Sequence, residues 1–338
     1  MTLAPREIFI GLALIVASAA LSAILIVFLK PQLQRYALAK PNARSSHTVP
    51  TPQGGGMAVI AATMSIASLA LLWTESGNSS LTITLFSAAL LAGVGAADDI
   101  WHVNIGLRLA LQAGASTLMV AGLPPELHIV PFLPWWTERF LLGIAVLWFV
   151  NLTNFMDGID WMTVAEVVPI SAAICVLWMI GAVPLVAALV ALALGGAMLG
   201  FAPFNKPVAR LFLGDVGSLP IGLLLCWLLI LLAGRGHWAA ALLLPLYYAA
   251  DATITLMLRA ANGQQVWQAH RSHFYQRALD QGFTVMEIIS RVFAVNAALA
   301  AVAITTVVVP GATDAWIALT CGVVLVGWLL TSFARGKR

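Results

Sequence analysis

Long apolar runs separated by short polar links fill almost the whole chain. A helix needs about 20 predominantly apolar residues to cross a bilayer. Eleven stretches meet that requirement: 8–29, 54–73, 81–97, 105–123, 139–156, 163–181, 184–202, 211–233, 237–259, 287–309 and 314–333. The pattern predicts an all-α polytopic membrane protein of about eleven transmembrane helices. The first run is too long for the h-region of a signal peptide and has only Arg6 before it, so it reads as a retained span. Two links, 30–53 and 260–286, are long and polar. No repeat relates the two halves, and the 338 residues read as one integral-membrane domain with site-bearing loops at 30–53, 98–104, 151–162, 203–214 and 260–286.

Composition agrees with this class. The chain is 61% hydrophobic and 9% charged, whereas soluble domains carry about 25% charged residues. With the N-terminus periplasmic and the C-terminus cytoplasmic, fourteen Lys and Arg residues fall inside against three, Arg6, Arg139 and Arg235, outside. That bias is the expected one for inner-membrane topology. It puts the polar motifs on the cytoplasmic side. A net charge of +3 gives no reason to expect nucleic acid. Cys175, Cys226 and Cys321 lie inside apolar runs, without disulfide or metal-site spacing.

Polar residues stranded at a membrane boundary cost several kcal/mol or so each unless something satisfies them. Five stretches raise that question. In NLTNFMDGIDW, Asn151, Asn154, Asp157 and Asp160 recur every three residues, a spacing that puts them on one side of a helical turn. Asp98 and Asp99 are adjacent carboxylates, a repulsive pair that a cation or a shared proton would relieve. In FLGDVGS, Asp215 is flanked by Gly214 and Gly217, where backbone can approach a phosphate closely. HRSHFYQR offers His270, Arg271, His273 and Arg277, groups suited to phosphate or sugar oxygens. PNARSSHTVPTPQGGG carries Arg44 and His47 ahead of three glycines. Each stretch also has a plainer reading, as a solvated turn, a helix cap or a basic membrane-surface loop. Asp251 is a sixth candidate: an acid inside the ninth run, either functional or paired within the bundle to a residue such as Arg108.

Together, P-N-x-R-S-x-H…P-T-P-x-G-G-G, D-D, N-x-x-N-x-x-D-G-x-D, F-x-G-D-x-G-S and the final H-x-x-H resemble, in order, the motifs of the polyprenyl-phosphate N-acetylhexosamine-1-phosphate transferases. The resemblance covers most of the chain. It implies transfer of a sugar-1-phosphate from a UDP-N-acetylhexosamine to undecaprenyl phosphate, with release of UMP. It also implies Mg²⁺ (or Mn²⁺) held by Asn154 and Asp215, and catalytic roles for Asp98, Asp99, Asp157, Asp160, His270 and His273. Asn151, Arg271, Asp251, Arg44 and His47 would contact substrate. Either Asp98 or Asp99 would serve as base. The implied setting is the bacterial inner membrane, among membrane lipid, with a cytoplasmic site and a homodimer as one assembly to consider. Two positions depart from the pattern. Trp161 stands where the family has glycine, and His-Arg-Ser-His replaces three consecutive histidines of the muramoyl-pentapeptide branch, which points to the branch that initiates O-antigen. The competing class is a multi-helix transporter or lipid flippase. It predicts charges spread along a midplane path, not crowded at one surface.

Overall fold

A computed structural model describes residues 5–39, 50–73, 78–101, 103–266, 268, 270–309 and 311–337. Among these, the chain runs through α1 (Pro5–Tyr36), β1 (Leu38–Ala39), β2 (Thr51–Pro52), α2 (Gly56–Trp73), α3 (Ser79–Trp101), α4 (Ile105–Ala121), α5 (Trp135–Met156), α6 (Met162–Met179) and α7 (Leu185–Asn205). It continues through α8 (Asp215–Gly234), α9 (Trp238–Leu243), α10 (Leu246–Ala261), α11 (Phe274–Asp280), α12 (Val285–Val308) and α13 (Ala312–Arg335). The chain is an all-α polytopic membrane protein. Eight described helices are long and apolar enough to cross a bilayer, while Gly56–Leu72 and Ile105–Ala121 are apolar but shorter.

Helix α8 is the axis of the bundle. It is apolar on every side, as a helix enclosed by others must be, and 94% of its apolar window is buried against 17% for α1. Helices α3, α5, α2 and α9 pack around it, and α7 is held between α1, α6 and α2. The open apolar faces of α1 and α13 are those a lipid environment would cover.

Three expectations need correction. The ninth run is not one helix. It breaks at Leu244–Pro245 into α9 and α10, because proline lacks the N–H the helix ladder needs and its ring crowds the preceding turn. Asp98 and Asp99, expected in a loop, occupy the last turn of α3. The 260–286 link contains the short helix α11.

The two small strands bring the second and eighth runs together. β1 pairs antiparallel with β2, Leu38 opposite Pro52 and Ala39 opposite Thr51. The chain after β2 then runs beside residues 212–213. Phe212 N–H donates to the Pro52 carbonyl at 2.8 Å, and Gly55 and Gly56 donate to the carbonyls of Phe212 and Leu213 at 2.9 and 2.8 Å. The start of α2 is thereby fastened to the start of α8. A β-carbon on Gly56 would stand 2.2 Å from Gly217 Cα, backbone against backbone. Overpacking of this kind costs about 1–3 kcal/mol. Gly56→Ala should therefore lower the thermal midpoint of the detergent-purified protein by about 2 °C or more, a shift that a fluorescence melt measures.

Candidate active site

The buried N-terminus of α8 exposes backbone N–H groups that have no partner within the helix. A carboxylate from another helix takes them. Asp99 Oδ1 accepts from Asp215 N and Asp99 Oδ2 from Val216 N, both at 3.1 Å. Gln53 Nε2 in turn donates to the Asp99 carbonyl at 3.2 Å and to Oδ1 at 3.4 Å. Asp98, one residue earlier, points elsewhere. Its Oδ1 accepts from Val103 N at 2.8 Å and its Oδ2 from Arg108 Nη1 at 2.5 Å. Arg108 reaches on to Asp215 Oδ2 at 3.5 Å.

Asn154, near the end of α5, donates through Nδ2 to Asp215 Oδ1 at 2.7 Å and to Ser218 Oγ at 2.9 Å. The two residues that the family resemblance implies as metal contacts are thus neighbours, though 61 positions apart in the chain. Helix α5 stops at Met156, with Asp157 as its C-cap. The helical spacing therefore does not carry all four polar residues onto one face. Asn151 turns back to its own helix, donating to the Leu147 carbonyl at 2.8 Å. Asp157 accepts a hydrogen bond from Thr163 Oγ1, and Asp160 Oδ2 accepts from Ala209 N at 2.9 Å.

Asp99, Asn154, Asp157, Asp160 and Asp215 all line one cavity of about 620 Å³, with Gln53 and Gln276. Its far wall is Pro207–Ala209 with Phe212 and Leu213, and Thr284–Met286 close a third side. Burial pushes the Asp157 carboxyl up from 3.8 to about 8. Thr163 opposes that rise, while Asp215, Asp99 and Asp160 add to it. Such mutual repulsion among oxygen donors is what a hard cation relieves. No three His, Cys, Asp or Glu side chains form a ready cage among the described residues. Asn154 and Asp215 are the two oxygen-bearing side chains placed to hold a divalent cation together with substrate phosphate.

The other expected residues form a second layer. Asp251, expected to contact substrate, is fully buried, and its carboxylate is taken by this chain's own groups. It accepts from Tyr247 OH at 3.4 Å, Thr255 Oγ1 at 3.2 Å, Phe274 N at 3.0 Å and Tyr275 N at 3.3 Å, and lies 3.3 Å from His273 Nδ1. The pair with Arg108 is not formed. Asp251 instead caps α11 and holds the histidine loop. His273 is buried and stacks on Phe155 and Tyr275. His270 tilts against it at 4.8 Å between ring centroids. Burial, then His273 and Arg259, hold the His270 imidazole at about 4, below its usual 6.5. Arg271 pairs with Asp280 at 2.8 Å. None of Asp98, Asn151, Asp251, His270, Arg271 and His273 lines the cavity. Arg44 and His47 lie outside the described residues.

The loop is tied to the centre by one phenol. Tyr275 OH donates to the Phe155 carbonyl at 3.0 Å, and a β-carbon on Gly158 would stand 2.1 Å from that oxygen. The departure at Trp161 carries a local cost. Its φ of 62° is left-handed, a conformation costing an L-residue roughly 1–2 kcal/mol and free for glycine.

Sequence reasoning assigned no site role to Gln53, Ser218, Tyr275 or Gln276, although each lies within or beside a quoted motif. Thr163 sits in an apolar run that carries no signal for it, and Arg108 was considered only as a partner of Asp251.

The fold and site therefore define a polytopic helical membrane protein with a carboxylate-lined cavity at one end of its bundle. Residues 80–233 match the family model described as Glycosyl transferase family 4. The chain is 26% identical over 307 residues, 84% of each chain, to the probable undecaprenyl-phosphate N-acetylglucosaminyl 1-phosphate transferase of Bacillus subtilis (strain 168). It is 27% identical over 293 residues to the decaprenyl-phosphate N-acetylglucosaminephosphotransferase of Mycobacterium leprae (strain TN), covering 76% of this chain and 73% of that one. A phospho-N-acetylmuramoyl-pentapeptide-transferase of Streptococcus pneumoniae serotype 19F (strain G54) is 27% identical over 253 residues, 67% of this chain and 73% of that one. The resemblance to the polyprenyl-phosphate sugar-1-phosphate transferase superfamily is borne out.

The Asp157 carboxyl has a consequence for stability. Between about pH 4 and about 8 the unfolded chain has released this proton while the folded chain keeps it. Folding is then favoured less as pH rises through that window. The thermal midpoint of metal-free protein should fall from pH 5 to pH 8, and Asp157→Asn should flatten that slope in a melt series against pH.

Proposed function

We propose that this protein transfers an N-acetylhexosamine-1-phosphate from a UDP-sugar to undecaprenyl phosphate at the cytoplasmic face of a bacterial inner membrane. The observation that carries the reading is the meeting of Asn154 with Asp215 inside a cavity lined by three further aspartates. The names of the relatives support the acceptor class, and the Lys and Arg asymmetry supports the orientation. The products would be a diphosphate-linked lipid sugar and UMP, and His-Arg-Ser-His favours the first step of O-antigen synthesis over a peptidoglycan step.

The reaction forms a bond between an acceptor phosphate oxygen and the phosphorus that bears the sugar, and breaks the bond from that phosphorus to the oxygen of the departing UMP. Asn154 and Asp215 would hold Mg²⁺, which when bound neutralises diphosphate charge. Asp99 is committed to the start of α8 and Asp98 to Arg108 and Val103, so neither is the natural base. Asp157 lines the cavity and keeps its proton to about pH 8 in the metal-free protein; a cation bound beside it would lower that value and free the carboxylate to act as a base. It would take the remaining proton of the acceptor phosphate. Asp251 and Tyr275 would act at one remove, by seating His273 and His270 beside α5.

Purified protein, undecaprenyl phosphate and a panel of UDP-N-acetylhexosamines should release UMP only with Mg²⁺ or Mn²⁺ present. Asp215→Asn should cut that release at least a hundredfold, about 2.7 kcal/mol of barrier, while the melt stays cooperative. UMP release in excess chelator would remove the metal assignment. Substrate movement across proteoliposomes without UMP would establish the transporter reading instead.

A further inference from the structure

We infer that Trp161 is a positioning residue whose indole braces the 206–209 wall of the cavity and so sets the fit of the donor substrate. Helix α7 ends at Asn205, and Lys206 is already extended, with φ −60° and ψ 137°. The last carbonyls of a helix have no partner within it. One of them, Ala202 O, accepts the Trp161 indole N–H at 2.6 Å. The Trp161 backbone N–H donates to Asn205 Oδ1 at 2.7 Å, and Asn205 Nδ2 donates to the Leu211 carbonyl at 2.9 Å. From the neighbouring position, Asp160 Oδ2 accepts from Ala209 N at 2.9 Å. Two of these bonds join Trp161 to the end of α7 and two, at Leu211 and Ala209, reach the wall that runs on from it, carries Pro207, Val208, Ala209, Phe212 and Leu213 into the cavity and leads into Asp215.

Residues 210–213 are held besides by Arg210 N on the Phe204 carbonyl at 2.9 Å and by the run beside Pro52–Gly56, so the stretch that leans on Trp161 and Asp160 is 206–209, where Val208 is 82% exposed. Glycine at 161 would relax the left-handed backbone and keep its N–H bond to Asn205, yet it could not reach Ala202. The chain thus accepts an unfavourable backbone conformation at a position where the indole reaches α7. Asp160 shares this work. Its Ala209 contact positions the wall.

The kinetic part of this inference rests on the transferase reading, and the structural part does not. The test uses full-length protein in detergent with two substitutions that tolerate a left-handed backbone, Trp161→Gly and Trp161→Asn. Hydrogen–deuterium exchange across 206–209 should quicken at least tenfold in both, with exchange in α8 unchanged. The donor KM should rise fivefold or more, while kcat and the KM for undecaprenyl phosphate stay within twofold, a split that general destabilisation would not give. Unchanged exchange in both variants overturns the brace. Faster exchange with an unaltered donor KM overturns its reach into the cavity. If wild-type protein releases no UMP from any donor, the transferase reading falls and the exchange measurement alone decides the brace.

Discussion

A helix enclosed on all sides by others must find acceptors for its first N–H groups. In this protein both oxygens of Asp99 answer that requirement for α8. The contact locks the end of α3 to the most deeply buried helix of the bundle and turns Asp215 toward Asn154. The strand-like run beside residues 212–213 holds the same point from the other side. A negative group also suits the positive end of the α8 dipole. Placing Asp215 beside it concentrates negative charge in a confined space, which Arg108 partly offsets. The cavity is therefore built around the capping of one helix, and the crowding of its carboxylates follows from that construction.

Around this centre the polar residues sort into two tiers. Asp99, Asn154, Asp157, Asp160 and Asp215 face the cavity, each anchored by a neighbour. Behind them, Asp251 gathers hydroxyl and backbone donors and orders the loop that carries the histidines. Its complete burial is tolerable because two hydroxyls and two backbone N–H groups donate to the carboxylate. An intramembrane acid can thus serve function by shaping a loop.

The positions of the long helices were legible in the sequence because the period and length of apolar runs are read directly from residue type. So was the gathering of Asp99, Asn154, Asp157, Asp160 and Asp215, since polar groups at a membrane edge demand a partner. What was not legible depended on direction and on single residues. Pro245 disappears in an average over an apolar window, yet it divides the ninth run. Asn151 has the right spacing but bonds its own helix. Asp98 and Asp99 are adjacent in sequence and serve different partners, a distinction set by the last turn of α3. Trp161 stands out in the sequence only as a departure from the family's glycine, and its bond to the end of α7 depends on a fold that residue type does not report.

The phenol of Tyr275 occupies the space in which any side chain at residue 158 would have to start. Two segments more than a hundred residues apart are in this way bound to a common lineage. A descendant that acquires even a methyl group at 158 must surrender the hydroxyl at 275, and with it the tie to the Phe155 carbonyl. Divergence of the histidine loop is accordingly possible only in concert with the central motif. A chimaera that grafts one from a distant relative without the other would inherit a collision at its heart.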